Sequence, residues 1–190
     1  EIAKKFDGEV ISGDSMQVYK GMDIGTAKVT EEEKQGIPHH LIDILEPDKA
    51  YSVAQFKEDV QELILAITAR GKLPIIVGGT GLYIQSVLYD YQFSEQERNS
   101  ELQRRIEQDI EKYGVEHIYQ RLVEVDPEQA EKIHPNNRRR LIRALEVYEE
   151  TGVTLSELQR RQSTEMKYDP FLIGLEMERA LLYDRINQRI

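Results

Sequence analysis

Cysteine and tryptophan are absent from the 190 residues of this chain, and phenylalanine occurs only four times. Without cysteine the chain can form neither a disulfide nor a thiolate zinc site, which is compatible with a reducing compartment. The sequence also lacks the run of about 18 apolar residues that a membrane-spanning helix needs. These absences exclude a disulfide-stabilised domain, and we expect a cytoplasmic protein without a membrane contact.

Basic residues are in the minority as well. The chain has 25 lysines and arginines against 35 aspartates and glutamates, which gives a net charge of −10. Such an excess of acid argues against general nucleic-acid binding. The bases are clustered, however, at 138–143 and at 160–161. One local basic face is sufficient for salt-dependent binding to RNA phosphates, so an RNA partner stays possible.

The first half of the chain has the pattern of an α/β protein. A short segment with an apolar centre at 9–12 and a continuous apolar run at 73–77 are typical of buried parallel strands. Between them, Ser52 and Gln55 form a capping box before an amphipathic helix that ends near Gly71. A second helical segment follows the 73–77 strand, so the order of elements predicts a parallel sheet with crossover helices.

The second half is mainly helical. Helical patterns extend from about residue 100 to residue 162, with helix boundaries at Gly114, Asp126-Pro127 and Asn137. We interpret 94–134 as a helical insertion domain. Residues 1–93 and 135–190 then form the α/β core.

Two further patterns concern the last part of this core and the two ends of the sequence. The apolar segment 171–175 predicts a further strand of the sheet, followed by a helix from about residue 178. Both ends of the sequence fall within helical patterns. We therefore expect the chain to be part of a longer protein.

Polar side chains follow the first predicted strand, in a loop that contains Asp14, Ser15 and Gln17. Ligands of open α/β sheets bind at the carboxyl ends of strands, and a carboxylate there can accept a proton from a substrate. An Asp-Ser pair in a loop is also the usual way to stabilise a turn. The residues alone leave both interpretations open for Asp14.

Thr80 has the corresponding position after the second strand. Its hydroxyl and the free N–H groups of the following helix can face an anion or a reacting centre. The same residue can be a simple N-cap, and the two roles are compatible.

Two pairs of arginines have a spacing of four residues on predicted helices. Arg139 and Arg143 share one helix face, which either contacts phosphates or is a solvated charged surface. Arg185 and Arg189 can hold a diphosphate through paired guanidinium contacts, or are exposed helix charges. Lys28 is a weaker phosphate candidate.

Several motifs, in this order along the chain, resemble those of the tRNA dimethylallyltransferases, which are also called isopentenyl-tRNA transferases. The motifs are Gly-Asp-Ser-Met-Gln-Val-Tyr at 13–19, Gly-Met-Asp-Ile-Gly-Thr-Ala-Lys at 21–28, Pro-His-His-Leu-Ile-Asp at 38–43, Val-Gly-Gly-Thr-Gly-Leu-Tyr at 77–83, Ile-His-Pro-Asn-Asn at 133–137, Arg-Arg-Leu-Ile-Arg-Ala-Leu-Glu-Val at 139–147 and Asp-Arg-Ile-Asn-Gln-Arg at 184–189. Together they cover nearly the whole chain.

The resemblance implies a parallel sheet of the P-loop NTPase and nucleotide-kinase type with an all-helical insertion that contacts tRNA. It implies transfer of a dimethylallyl group from dimethylallyl diphosphate to N6 of the adenosine on the 3′ side of the anticodon, with release of diphosphate. The implied partners are the tRNA anticodon stem-loop, dimethylallyl diphosphate and Mg²⁺. We expect a monomer.

The resemblance also implies roles for individual residues. Asp14 is the expected general base. The catalytic set is Asp14, Thr80, Arg185 and Arg189. The tRNA-binding set is Asp14, Ser15, Met16, Gln17, Thr80, Gln103, Arg139, Arg140, Leu141, Ile142 and Arg143. The diphosphate-binding set is Lys28, Arg185 and Arg189. At Gln103 the family often has an arginine.

One departure from the family pattern leaves alternatives. The family has an N-terminal glycine-rich phosphate loop that ends in Gly-Lys-Thr, and this chain contains no such sequence. A trimmed sequence explains the difference, and so does a non-catalytic tRNA-binding remnant. A prenyltransferase or kinase that acts on free adenine nucleotides is the other alternative.

Overall fold

The computed structural model describes residues 1–93 and 99–189, without the side chain of Arg189. It contains two compact units, which are treated separately below. The sheet unit comprises 1–91 and 163–190, and the helical unit comprises 92–162. The helices are α1 (Ile2–Lys5), α2 (Glu31–Lys34), α3 (Val53–Ala69), α4 (Gly81–Leu88), α5 (Ser100–Tyr113), α6 (Val115–Val125), α7 (Pro127–Lys132), α8 (Arg138–Thr151), α9 (Leu155–Arg160) and α10 (Arg179–Arg189).

The sheet unit contains a parallel sheet of β1 (Gly8–Ser12), β2 (His39–His40) and β3 (Leu73–Val77) in the order β2-β1-β3. Val10 on the central strand pairs with His39 on one side and Ile75 on the other. Both pairings are parallel, so the carboxyl ends of β1 and β3 lie at the same edge. The predicted α/β fold with a parallel sheet is confirmed.

The core of the sheet unit forms between β1, α3 and α4. Ser52 accepts a hydrogen bond from the backbone N–H of Gln55 at 3.1 Å and so caps α3, as predicted. The 3.6-residue spacing then brings Phe56 and Val60 to the face of α3 that packs against Ile11. The ring of Phe56 stacks on that of Tyr83 with the centroids 4.3 Å apart. This packing holds α4, and with it Thr80, against the sheet.

A charged network lies at the amino end of β1, opposite the carboxyl edge of the sheet. Glu9 is buried and accepts hydrogen bonds from Nη2 of Arg70 at 2.8 Å and Nε of Arg70 at 3.2 Å. Its carboxylate also contacts Nε2 of His40 at 2.7 Å. The Arg70 hydrogen bonds, with the His40 contact second, hold the pKa of Glu9 below its usual range although burial opposes this shift. The network joins β1, β2 and the end of α3.

The helical unit has its own hydrophobic core, in which Ile106, Ile118, Leu122, Leu141 and Leu145 are almost fully buried. The predicted helix boundaries are confirmed, because Gly114 ends α5 and the side chains of two capping residues accept N–H groups. Those caps are Asp126 for α7 and Asn137 for α8.

The boundary of this unit differs from the predicted insertion at 94–134, of which residues 94–98 lie outside the described part. Residues 135–162 belong to the helical unit because α8 contributes Leu141 and Leu145 to its core. The two ends of the unit are also joined, since Gln92 and Gln162 exchange two hydrogen bonds of 2.7 and 2.8 Å.

The strand predicted at 171–175 is wrong. This segment has no regular structure, and Phe171, Leu172, Ile173 and Leu175 are all highly exposed. An apolar run forms a strand only where another strand offers it hydrogen bonds, and no described strand pairs with it. The helix predicted after it is confirmed as α10, on which Leu181, Leu182 and Ile186 remain partly exposed.

Candidate functional site

The loops after β1 and β3 meet at the carboxyl edge of the sheet. The N–H of Gly13 donates to the carbonyl of Val77 at 2.8 Å, and the N–H of Thr80 donates to the carbonyl of Gly13 at 3.3 Å. A Cβ atom on Gly78 would lie only 2.3 Å from the carbonyl carbon of Gly13. Glycine is therefore required at position 78, and its absence of a side chain brings Asp14 and Thr80 to one place.

Asp14 is partly buried and stabilises the loop after β1. Its Oδ1 accepts hydrogen bonds from the backbone N–H groups of Met16 at 2.8 Å and Gln17 at 3.3 Å. Among the described residues, no hydrogen bond to Oδ2 is found. One carboxylate oxygen thus fixes the turn and the other can accept a proton, so the two interpretations of Asp14 are compatible.

Thr80 joins this loop to the turn after β3. Its Oγ1 accepts a hydrogen bond from the backbone N–H of Ser15 at 3.1 Å. Thr80 is the N-cap residue of α4, as the sequence allowed, but its side chain makes no capping bond to this helix. The contact orders Ser15 and Asp14 relative to the amino end of α4.

Tyr83 lies close enough to Asp14 for the carboxylate to affect the pKa of its hydroxyl. Burial raises the pKa of the Tyr83 hydroxyl, and the neighbouring Tyr19 and the carboxylate of Asp14 raise it further. The phenol therefore stays neutral and can donate a hydrogen bond near the carboxylate. Sequence reasoning did not include Tyr19 or Tyr83 in the site, although both belong to the motifs at its edge.

Gln17 and Met16 have different surroundings in the same loop. The side chain of Gln17 accepts from the hydroxyl of Ser12 at 3.0 Å and donates to the carbonyl of Thr26 at 3.0 Å. Its amide therefore ties the loop to the following glycine-rich segment. The side chain of Met16 is exposed and is available to a ligand.

The ammonium group of Lys28 is already paired and is not free to bind a phosphate. Its ammonium contacts Asp23 at 2.7 Å, Asp43 at 2.6 Å and the carbonyl of Tyr19 at 2.8 Å. Burial of the side chain lowers its pKa, but the two carboxylates outweigh burial and the pKa is raised. All three N–H bonds are used, so a diphosphate contact would require one of these bonds to break.

Arg185 lies on α10 in the sheet unit. Its side chain is exposed, and it forms no ion pair within the described residues. The guanidinium is therefore free for an anion. The side chain of Arg189, predicted with it, lies outside the described residues.

The helical unit contains a groove of about 740 Å³ between α5 and α8. It brings together Gln103, Arg139, Arg140, Ile142 and Arg143 from the predicted tRNA-binding set. The further lining residues are Glu107, Ile110, Glu111, Arg138 and Glu146. The pairing of Gln103 with the arginines was expected only from the family resemblance.

Three arginines of this groove lie at the positive end of a helix dipole. Arg138, Arg139 and Arg140 occupy the first turn of α8, which contains no acidic residue. Positive charge near a helix N-terminus is unfavourable, and an anion there is favourable. These three side chains are exposed and have no ion pair among the described residues. The arrangement favours a phosphate ligand over a merely solvated surface.

Leu141 was predicted to bind tRNA together with the arginines, but it lies in the hydrophobic core instead. Its side chain is fully buried in the core of the helical unit. A side-chain contact with RNA is therefore excluded without unfolding of this core. Glu146 was not predicted, although its spacing of three residues from Arg143 on one helix face is a signal for it.

The chain is similar to several known proteins. A model of the IPP transferase family matches residues 17–190. The tRNA dimethylallyltransferase of Oceanobacillus iheyensis is 61% identical over 190 residues, which are 100% of this chain and 61% of that protein. The tRNA dimethylallyltransferase of Bacillus cytotoxicus is 57% identical, with 100% of this chain and 60% of that protein covered. The chain thus spans about three fifths of the length of these relatives.

Solved structures give the same result. A crystal structure of tRNA delta(2)-isopentenylpyrophosphate transferase from Staphylococcus epidermidis aligns with a TM-score of 0.59 and 52% identity over 99% of this chain and 61% of that one. A eukaryotic dimethylallyltransferase, in structures that describe it acting on tRNA, aligns with a TM-score of 0.79 and 37% identity over 99% of this chain and 46% of that one. The predicted P-loop NTPase type of fold is confirmed.

Proposed function

This chain belongs to the IPP transferase family, and we propose that the protein transfers a dimethylallyl group from dimethylallyl diphosphate to N6 of an adenosine in tRNA. The adenosine is the one on the 3′ side of the anticodon. The observation that supports this proposal most directly is the position of Asp14 and Thr80 at one edge of the sheet, joined through Ser15.

The chemistry requires a proton acceptor. The N6 nitrogen attacks C1 of the dimethylallyl group, the C1–O bond breaks, and its electron pair leaves with the diphosphate. The proton of the amine then passes to Oδ2 of Asp14, because Oδ1 is held by the turn. The hydroxyl of Thr80 still has its hydrogen available as a donor for the bound nucleotide.

We propose that Arg185 and Arg189 bind the diphosphate. A guanidinium matches two phosphate oxygens and stabilises the charge that the leaving group gains. The exposed side chain of Arg185 supports its part of this proposal. Lys28 contributes by holding Asp23 and Asp43, which orders the loop of 21–28.

Mg²⁺ is the cofactor that this leaving group would use, since a divalent cation neutralises a diphosphate. Within the described residues there is no group of three or more His, Cys, Asp or Glu side chains that could hold a metal ion.

The partner that fits the helical unit is the anticodon stem-loop of tRNA. Arg139, Arg140 and Arg143 line one groove and can contact phosphates, with Gln103 beside them. The target adenosine must leave its stack to reach Asp14, as in other enzymes that modify bases. A monomer in the cytoplasm stays a prediction. No helix among the described residues is long and apolar enough to cross a membrane.

Transfer of label from dimethylallyl diphosphate to unmodified tRNA tests the reaction, with the full-length gene product and Mg²⁺. Adenosine monophosphate is offered as the competing acceptor. We expect label in tRNA and none in the free nucleotide. Label in the free nucleotide alone would show a small-molecule prenyltransferase, and salt-dependent tRNA binding without any transfer would show a non-catalytic binding protein.

A further inference from the structure

Lys28 is a buried cation that joins separate segments of the sheet unit. Its side chain is only 6% exposed. The ammonium donates to the carbonyl of Tyr19 at 2.8 Å and to carboxylate oxygens of Asp23 at 2.7 Å and Asp43 at 2.6 Å. A lysine ammonium is compact and has three donors, so these three acceptors match it fully. A buried charge is stable only with such partners, and Lys28 therefore holds the segments of these residues together.

Gln17 joins the same segments a second time. Its Nε2 donates to the carbonyl of Thr26 at 3.0 Å and to that of Ala27 at 3.4 Å. Its own carbonyl accepts the backbone N–H of Asp43 at 3.0 Å. Gln17 thus contacts both the residue before Lys28 and one of the carboxylate partners of Lys28. The contacts form one closed set, the Lys28 network, which consists of Gln17, Tyr19, Asp23, Ala27, Lys28 and Asp43.

Two residues of the Lys28 network have a left-handed backbone. The φ angle is 51° at Ala27 and 55° at Asp43. Residues other than glycine seldom adopt this conformation, and it persists only where surrounding contacts hold it. Lys28 holds the carboxylate of Asp43, and Gln17 holds the carbonyl of Ala27. Loss of these contacts would let both residues return to ordinary backbone conformations and would move the segments that contain them.

The Lys28 network is directly connected to Asp14. The backbone N–H groups of Met16 and Gln17 donate to Oδ1 of Asp14 at 2.8 and 3.3 Å. Gln17 therefore has its N–H on Asp14, its carbonyl on Asp43 and its side chain on the segment before Lys28. A displacement of Gln17 would turn the carboxylate of Asp14 away from its present direction.

We propose that Lys28 is a positioning residue for Asp14 and not a ligand of the diphosphate. Its ammonium keeps the Lys28 network closed, which holds Gln17 and, through Gln17, the carboxylate of Asp14 in place. Without the ammonium, the carboxylates of Asp23 and Asp43 would lose their shared cation and repel each other. The inference rests on the proposed transfer to tRNA, in which Asp14 accepts the proton.

Lys28→Met in the full-length gene product tests this role, because methionine fills much of the same space without the cation. We expect kcat/KM for prenyl transfer to tRNA to fall about 10- to 100-fold, the effect of lost hydrogen bonds to a charged group. Hydrogen exchange of the backbone amides of Met16 and Gln17 should become about tenfold faster. The Kd of dimethylallyl thiolodiphosphate, a donor analogue that does not react, should change by less than about twofold, because no diphosphate ligand is lost.

The matched control is Lys20→Met, which removes the same charge from an exposed lysine that pairs with Glu46 at 2.7 Å. All three measurements should stay within about twofold of the unaltered protein, as for other exposed ion pairs. If Lys28→Met does not fold, as judged from its thermal unfolding, Asp43→Asn replaces it. Asparagine tolerates the left-handed backbone and removes one carboxylate partner of Lys28, so the same changes are expected at about three- to tenfold in kcat/KM.

Three results would overturn the positioning role. The first is analogue binding that weakens as much as kcat/KM falls, since this would show that Lys28 is a diphosphate ligand. The second is amide exchange at Met16 and Gln17 that is unchanged in the folded variant. The third is faster exchange with an unchanged kcat/KM.

The exchange measurement needs no substrate, so it separates this inference from the proposed reaction. Faster exchange in Lys28→Met but not in Lys20→Met, with an unaltered protein that transfers nothing to tRNA, would remove the proposed reaction and leave the control of Asp14 by Lys28 standing. Transfer by the unaltered protein, with equal exchange and equal kcat/KM in both lysine variants, would remove only this inference.

Discussion

The backbone N–H of Ser15 donates to the hydroxyl oxygen of Thr80 at 3.1 Å, and this bond joins the loop after β1 to the turn after β3. Thr80→Val keeps the shape of the side chain and loses the acceptor. We expect kcat/KM for tRNA to fall about tenfold, the effect of one lost hydrogen bond. Thr80→Ser keeps the oxygen and should stay within about threefold of the unaltered protein. A fully active Thr80→Val variant beside an impaired Thr80→Ser variant would show that the methyl group, and not the hydroxyl, matters.

The contact between Gly13 and Gly78 gives a prediction about stability. A Cβ at position 78 would be 2.3 Å from Gly13, so Gly78→Ala must displace backbone. We expect a loss of about 1–3 kcal/mol in the free energy of unfolding, measured in urea. Gly79→Ala is the matched control, because its Cβ meets no atom within 4 Å. A Gly78→Ala variant as stable as Gly79→Ala would contradict the close approach of the two strands.

The charged network of Glu9 gives a prediction about pH. The pKa of Glu9 is lowered in the folded protein, first by Arg70 and then by His40. Its stabilising effect is therefore complete above the unfolded value of 4.5 and is lost as the pH falls through the lower folded value.

Urea unfolding of the Glu9→Gln variant at two pH values measures this effect. At pH 7 we expect the variant to be less stable than the unaltered protein by about 1.5–3 kcal/mol, the range for hydrogen bonds to charged groups. The difference should shrink as the pH falls below 4.5. A difference that is independent of pH would show that packing, and not charge, explains the loss.

Alanine substitutions at the neighbours Arg139 and Leu141 should have different effects, one on RNA binding and the other on stability. Arg139 is exposed in the groove, whereas Leu141 is fully buried in the core. Arg139→Ala should leave thermal stability unchanged and reduce the slope of log K against log salt concentration for RNA binding by about one. Leu141→Ala should lower the free energy of unfolding by about 2–5 kcal/mol. An Arg139→Ala variant with an unchanged salt slope would remove its phosphate contact.

Local patterns predicted the elements of the fold well. The cap at Ser52, the break at Gly114 and the cap at Asn137 are all found where the sequence indicates them. Each of these depends on contacts within a few residues, which the sequence shows directly.

Features that depend on distant partners were harder to predict. The apolar run 171–175 indicated a strand, but no described strand pairs with it. The boundary at 134 was placed too early because the burial of Leu145 depends on helices far away in the chain. The same reason explains why the ion pairs of Lys28 were not predicted, since its partner Asp43 is fifteen residues away. Sequence spacing alone does not show such contacts.

The site was predicted in part. The placement of Asp14 and Thr80 follows from the rule that strand ends of a parallel sheet meet at one edge. The burial of Glu146 could not be predicted, because it depends on the packing of α5 against α8.

The central claim is that Asp14 accepts the proton of the amine, and one substitution tests it most directly. Asp14→Asn keeps an oxygen that can accept from Met16 and Gln17, so the turn should persist and thermal stability should be close to that of the unaltered protein. Only the proton acceptor is lost. We predict that the single-turnover rate of dimethylallyl transfer to tRNA falls by about 10²–10⁴-fold. A folded Asp14→Asn protein that transfers within a factor of about three of the unaltered rate would contradict the account, because the contribution of a general base is far larger than that.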